Sequence, residues 1–234
     1  VRDDGNETGD GGRSMHDALL PGDIAHELRQ PLLALSANLQ VLRLQIGDGG
    51  CPDVDASLAA VEAESRRLIA LTESLIAYST PTVPSDVAPL EPVLESAISA
   101  LAPRLGERGQ RVVRLPGPPV KVRMESARLH LAFQRLLENA SQHAPRGSAI
   151  CVTLRREAAR RPARAVVEVA DRGPGFPEHA LPRLFHPFSS LRRGGLGLGL
   201  ATVRRIVEAH GGQASLCNRH DGGALATVTL PVAD

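Results

Sequence analysis

DIAHELRQPLLAL, residues 23–35, decides how the rest of the chain is read. It sets a histidine and a glutamate side by side, with a proline five residues after the histidine. Apolar residues fall at Ile24, Leu28, Leu32, Leu35, Leu39, Leu42 and Ile46, in steps of four and three. That spacing is the seam of a helix packed in a bundle. His26 lies two positions after Ile24, roughly 200° around the wheel, so it points away from the seam. That counts against a packed core histidine; a surface histidine, the commoner case for a lone His, and a reactive one both remain open. Pro31 removes a backbone donor and crowds the Glu27 carbonyl, which predicts a bend just after His26.

Outward from this stretch, the first helix is expected over 15–46, and GDGGCP at 47–52 makes a turn. A second seam follows at Val54, Leu58, Val61, Ser65, Leu68, Thr72 and Leu75. Two long helices joined by a short turn form an antiparallel hairpin, here residues 15–80. One hairpin cannot cover its own apolar face, and a second copy completes a four-helix bundle in a homodimer. Residues 1–14, rich in Gly and Asp, read as a disordered leader or the edge of a larger protein. Residues 81–89, rich in Pro, read as an interdomain linker.

From residue 90 to 234 the periodicity changes. Helices are expected over 90–105, over 126–143 with Ser126 as N-cap, and over 199–210, ended by Gly211 and Gly212. Strands are expected over 111–115, 120–124, 149–155, 165–170, 213–216 and 225–230. The fold class is α+β: a helical hairpin, then an α/β sandwich with one sheet and a helical layer.

Bulk properties narrow the function. A formal net charge of +1 gives no field that would draw nucleic acid or anionic lipid. One Tyr, four Phe and no Trp leave no stacking platform for bases. Cys51, Cys151 and Cys217 are odd in number and far apart, which supports neither a zinc site nor a disulfide framework and suits a reducing, cytoplasmic setting. No run reaches the 18 or so apolar residues of a membrane span, so any membrane link would lie upstream.

Three further stretches carry chemistry. LLENASQH, 136–143, puts Asn139 on a helix, where its carboxamide oxygen suits Mg²⁺ that keeps waters and phosphate oxygens. DRGPGF, 171–176, follows an apolar strand; its Asp can accept an exocyclic amine and its glycines allow close backbone approach, although the same residues make a plain turn. GGLGLGL, 194–200, leads into a helix whose first N–H groups suit a phosphate, yet it matches neither the P-loop nor the dinucleotide spacing. Between the last two, LFHPFSSLRR at 184–193 reads as a mobile lid whose Arg192 and Arg193 can meet phosphate charge.

Taken in this order, the stretches resemble the catalytic core of the sensor histidine kinases of two-component systems. HELRQPL resembles that family's H box, LLENASQH its N box, DRGPGF its G1 box, LFHPF its F box and GGLGLGLATV its G2 box. The resemblance covers about residues 15–232. It implies an ATP-binding sandwich of the type shared with gyrase and Hsp90, and phosphoryl transfer from ATP to His26, then to an aspartate of a response regulator's receiver domain. It implies that Glu27 activates the ring and that Gln30 bears on phosphatase activity. It implies that Asn139 holds Mg²⁺, that His143 lies near the phosphates and that Asp171, Gly173 and Gly175 read adenine. Arg192, Arg193, Gly195, Gly197 and Gly199 would bracket the triphosphate. The chain departs from the family pattern at four places, of which Leu196, where small Ser or Thr is frequent, is expected to matter little. Gln30 stands where Thr or Asn is usual, Arg135 where a second Asn is common, and Gln142 where Lys is frequent. Arg135 can supply positive charge but cannot ligate a cation. A nucleotide-binding module that no longer transfers, and an ATPase of the same superfamily, are the competing readings.

Overall fold

The computed structural model describes residues 32–33, 36–37, 39–40, 43, 52–158, 162–187, 189 and 197–233. The expected bend at Pro31 and the residues His26, Glu27, Gln30, Arg192, Arg193 and Gly195 lie outside the described residues. The chain divides into two compact units, 1–79 and 80–234.

In the first unit the described residues from 32 to 43 are helical. Helix α1 spans Pro52–Ser79. The second seam, read from sequence as one stripe, separates into two. Leu58, Ser65 and Thr72, seven apart, are buried, and Glu62 is buried beside them. Val61 and Leu68, also seven apart, remain 44% and 38% exposed. Positions three apart sit about 60° from one another on a helix, so a run of fours and threes spans two neighbouring faces. Arg43 reaches Glu62 at 3.4 Å and so brings the earlier helical residues alongside α1.

The first strand of the second unit lies inside the segment read as a linker. Asp86–Pro89 is strand β1, paired antiparallel with β3, Lys121–Met124. Proline at the strand's end needs no donor there, which is why a Pro-rich stretch can still pair. Helix α2, Glu91–Glu107, follows, then β2, Arg111–Arg114, and helix α3, Ser126–His143. Glu125, not Ser126, holds the N-cap position of α3; its carboxylate accepts a bond from the Val83 N–H at 2.7 Å instead of capping the helix. Strands β4, Ala149–Glu157, and β5, Arg164–Ala170, lead to helix α4, Gly199–Ala209. Strands β6, Gln213–Asn218, and β7, Ala224–Pro231, complete the unit.

The main sheet has the order β2-β4-β5-β7-β6, with β2 parallel to β4 and the other pairs antiparallel. Alternation decides its inner face: Ile150, Val152 and Leu154 on β4 and Ala226, Val228 and Leu230 on β7 are buried. The register sets Leu154 beside Val167 and Val167 beside Val228, an apolar row across three strands. The helices cover that face with stripes at helical spacing, Leu94, Ala97, Leu101 and Leu105 on α2, and Leu129, Phe133, Leu136 and Ala140 on α3. Among the described residues no helix is long and apolar enough to cross a membrane.

Candidate active site

The end of β5 runs into a loop that the rest of the unit holds in place. The Asp171 N–H donates to the Ala224 carbonyl at 3.0 Å, one step beyond the β5–β7 ladder. The Asp171 side chain is buried, 4% exposed. Its Oδ1 accepts from the Gly173 N–H at 2.7 Å and the Ala224 N–H at 3.2 Å. Both bonds fall on one oxygen, which fixes the carboxylate plane and leaves Oδ2 to accept from a ligand amine.

The glycines here are required by contact. A Cβ on Gly173 would stand 2.7 Å from the His143 carbonyl oxygen, so the loop presses against the end of α3. Gly175 has φ +74, and a Cβ there would meet Asn218 Oδ1 at 2.6 Å. Asn218 itself was not singled out in the sequence. Its amide accepts from the Phe176 N–H at 2.8 Å and donates to the Phe176 carbonyl at 2.7 Å, pairing with the loop as a neighbouring strand would. Phe176 is thereby held under the His143 ring, with centroids 5.2 Å apart and planes at 58°. Arg219 adds a third tie, Nη1 to the Asp171 carbonyl at 3.0 Å. The sequence feature that could have pointed toward these residues is the Gly222–Gly223 pair between two strands, a hairpin turn that returns the chain to Asp171.

His143, Asp171, Gly173 and Gly175 are therefore gathered at one place. Asn139 is half-buried one turn before His143 on the same face of α3. Gly199 opens α4, the helix packed beside α3, and Gly197 lies two residues before it. Gly197 has φ +66 and lies against the Ser189 backbone, and Gly199 has open space where a Cβ would go. Buried Leu198 anchors the turn between them, and Thr202 Oγ1 donates to its carbonyl at 2.8 Å. A group that meets Asp171 Oδ2 with its amine can therefore lie along α3, past Asn139.

Arg135 is fixed. Its Nη1 donates to Glu138 Oε2 at 3.1 Å, and Glu138 is a buried carboxylate. Among the described residues no three of His, Cys, Asp and Glu are grouped to hold a metal. The Asn139 carboxamide alone fits a hard cation that arrives with phosphate oxygens and waters of its own.

A second buried polar group joins the start of α3 to the end of α4. His210 Nε2 accepts from the Glu125 N–H at 3.0 Å, which makes Nδ1 the protonated nitrogen, facing the Ile206 carbonyl at 2.8 Å. Burial pushes the His210 pKa below its ordinary value and outweighs the Ile206 carbonyl and Glu125, which act the other way; Arg128 lowers it further. Arg128, buried and also lowered chiefly by desolvation, donates to Thr82 Oγ1 at 3.0 Å and to the Thr80 carbonyl at 2.9 Å.

Residues 124–234 match the family described as histidine kinase-, DNA gyrase B- and HSP90-like ATPase, and residues 21–82 match the His kinase A phospho-acceptor domain. The chain is 32% identical to the signal transduction histidine-protein kinase AfsQ2 of Streptomyces coelicolor, over 94% of its own length and 43% of that protein. It is 31% identical to the sensor protein BasS of Escherichia coli, over 92% of its own length and 58% of that protein. It thus spans less than two thirds of these curated relatives. Among solved structures, full-length ShkA in complex with AMPPNP resembles it with a TM-score of 0.67 and 25% identity, over 90% of this chain and 45% of that one.

Proposed function

Because the chain belongs to the sensor histidine kinases, with a phosphoacceptor domain followed by an ATPase-type domain, we propose that it is an ATP-dependent protein-histidine kinase. ATP bound in the second unit phosphorylates His26, and the phosphoryl group then passes to an aspartate of a response regulator. The observation that carries this reading is the Asp171 carboxylate. It is buried, and its described bonds fall on one oxygen, which leaves the other for the adenine amine. The AMPPNP bound to ShkA supports the same class of ligand.

On this reading His143, Gly173 and Gly175 shape the adenine end, and Asn139 holds Mg²⁺ that arrives with the nucleotide. Arg192, Arg193, Gly195, Gly197 and Gly199 meet the triphosphate. The Nε2 of neutral His26 attacks the γ-phosphorus; the bond from phosphorus to the bridging oxygen breaks, and ADP leaves. The imidazole proton passes to Glu27 or to water. In the second transfer an aspartate carboxylate of the regulator takes the phosphoryl group and restores the histidine. Most of the acceleration comes from positioning and charge neutralisation. Gln30 bears on removal of the phosphoryl group from the regulator. Exposed Val61 and Leu68 support a homodimer, because together they form an apolar row that the described part of one chain leaves uncovered. ATP as donor implies a cytoplasmic location. The boundaries 15–80 for the hairpin and 90–234 for the catalytic domain go with this reading, with strand β1 added to the latter.

The test is labelling of the full chain with γ-labelled ATP and Mg²⁺. The expected product is a phosphoprotein that loses its label in acid, and H26Q carries none. Equal labelling of H26Q removes His26 from the mechanism. Binding of ATP with no labelling of the parent favours the nucleotide-binding module, and steady phosphate release without a phosphoprotein favours the ATPase.

A further inference from the structure

His143, Asn139 and Arg135 follow one another along α3 at intervals of four. Each step moves about 6 Å along the axis and turns about 40°, so the three residues share one face. His143 marks one end of that face, beside the adenine loop. Arg135 stands two turns away, about 12 Å along the helix.

The Arg135 guanidinium is held by a post built from two helices. Its Nη1 donates to Glu138 Oε2 at 3.1 Å. The other carboxylate oxygen, Oε1, accepts from Arg104 Nη1 on α2 at 3.1 Å and from Gln134 Nε2 at 3.1 Å. Glu138 is 8% exposed, and a buried carboxylate with three donors is a rigid partner. The Arg135 side chain is 29% exposed, so its outer edge stays open to a ligand. An arginine fixed through one nitrogen and open at its other edge is prearranged for phosphate, because little further ordering is needed on contact.

We propose that Arg135 binds the terminal phosphate of the nucleotide, with Glu138 and Arg104 as positioning residues that hold it at the far end of the α3 face. This rests on the ATP-binding reading above. The adenine end meets the same groups in ATP and ADP, so discrimination between the two falls to the phosphate end. A fixed cation there favours the nucleotide that carries one more phosphate.

The experiment is calorimetric titration of the full chain with ATP and with ADP, both with Mg²⁺. Arg135→Gln keeps a donor for Glu138 and removes the charge. It is expected to weaken ATP about tenfold or more while changing ADP by less than about threefold. Glu138→Gln is expected to weaken ATP about threefold with the same preference, since both arginine bonds lose the carboxylate charge and the new amide nitrogen faces a donor. A residue that only supports the fold would move both nucleotides together, so the ATP-to-ADP ratio separates the two roles. The proposal is overturned if the parent binds ATP and the ratio for Arg135→Gln stays within about twofold of it. It is also overturned if Glu138→Gln binds ATP more tightly, since the post would then be keeping Arg135 away from phosphate. If the parent binds neither nucleotide, the ATP-binding reading itself fails. Should Glu138→Gln unfold, the partly exposed Arg135 still decides the matter.

Discussion

The two units place their apolar residues in opposite ways. In the second, the largest side chains are fully inside: Phe133, Leu94, Leu129, Leu137, Ile150 and Ile206 all fall below 2% exposure. In the first, Leu58 is the one buried hydrophobic residue among those described on α1, and Glu62, Ser65 and Thr72 take the other buried positions. Thr72 satisfies its hydroxyl on its own helix, to the Leu68 carbonyl at 2.8 Å, whereas the buried Ser65 hydroxyl has no partner among the described residues. Val61 and Leu68 meanwhile face outward. One sequence therefore uses two strategies: the second unit is stabilised by its own core, and α1 leaves part of its apolar surface exposed, as the proposed dimer needs.

The sharpest way to break that comparison is Leu68→Asp. In a two-fold dimer the change acts twice; with 38% of Leu68 left for a partner to bury, each copy loses about 0.6–1.1 kcal/mol of burial, before the larger cost of an unpaired carboxylate. Self-association is expected to weaken by at least about 100-fold, read by sedimentation equilibrium. ADP binding by the second unit should not change. A variant that still dimerises at the parent's concentration would show that α1 does not use this face.

The second perturbation acts on the other unit alone. Gly223 has φ +90, and a Cβ there would stand 2.1 Å from the Asp171 carbonyl oxygen. Gly222 has φ +87 with nothing within 4 Å of its Cβ position. Gly222→Ala should therefore cost about 1–2 kcal/mol through backbone strain only. Gly223→Ala adds displacement of the Asp171 peptide and should cost about 2–4 kcal/mol in all. It should also weaken nucleotide binding, which Gly222→Ala should not. Equal melting temperatures for the two variants would mean that the hairpin does not buttress the loop.

Sequence patterns reveal what is local. Alternation on β4 and β7 marks their inner faces, because a strand's period of two leaves no other choice. Asp171, Gly173 and Gly175 stand out in the sequence as a site and as a plain turn alike, because both use Asp and Gly after a strand; the contact of Gly173 with the His143 carbonyl, from another element, is not local. The helical seam was legible as apolar but not as two faces, since 58, 65, 72 and 61, 68, 75 fit a single run of fours and threes equally well. Asn218 and Arg219 were missed because their partners, Phe176 and Asp171, are 42 and 48 residues away. Arg135 was visible as an odd residue. Its restraint was not, because Arg104 comes from another helix, 34 residues before Glu138.

The smallest effect expected is a pH dependence that belongs to the second unit. His210 is 5% exposed, its Nε2 accepts a backbone N–H, and its Nδ1–H faces a carbonyl, so the folded state holds it neutral. Glu125, Arg128 and Arg205 are the charged groups around it and Arg128. Its folded pKa lies below the ordinary value of 6.5. Above that value neither state binds the proton, and stability is complete. Below it the unfolded chain takes up a proton that the folded one refuses, so stability falls with acid, by at most about 1.4 kcal/mol per pH unit. The fall ends once the pH passes beneath the folded pKa. His210→Gln keeps an oxygen for the Glu125 N–H and has nothing to titrate. It should be less stable than the parent at pH 7.5, and the gap should narrow toward pH 5.5, because only the parent loses this term. Carboxylates elsewhere titrate in both proteins and cancel from the difference. Parallel denaturation curves over that range would mean that the link between the start of α3 and the end of α4 survives protonation.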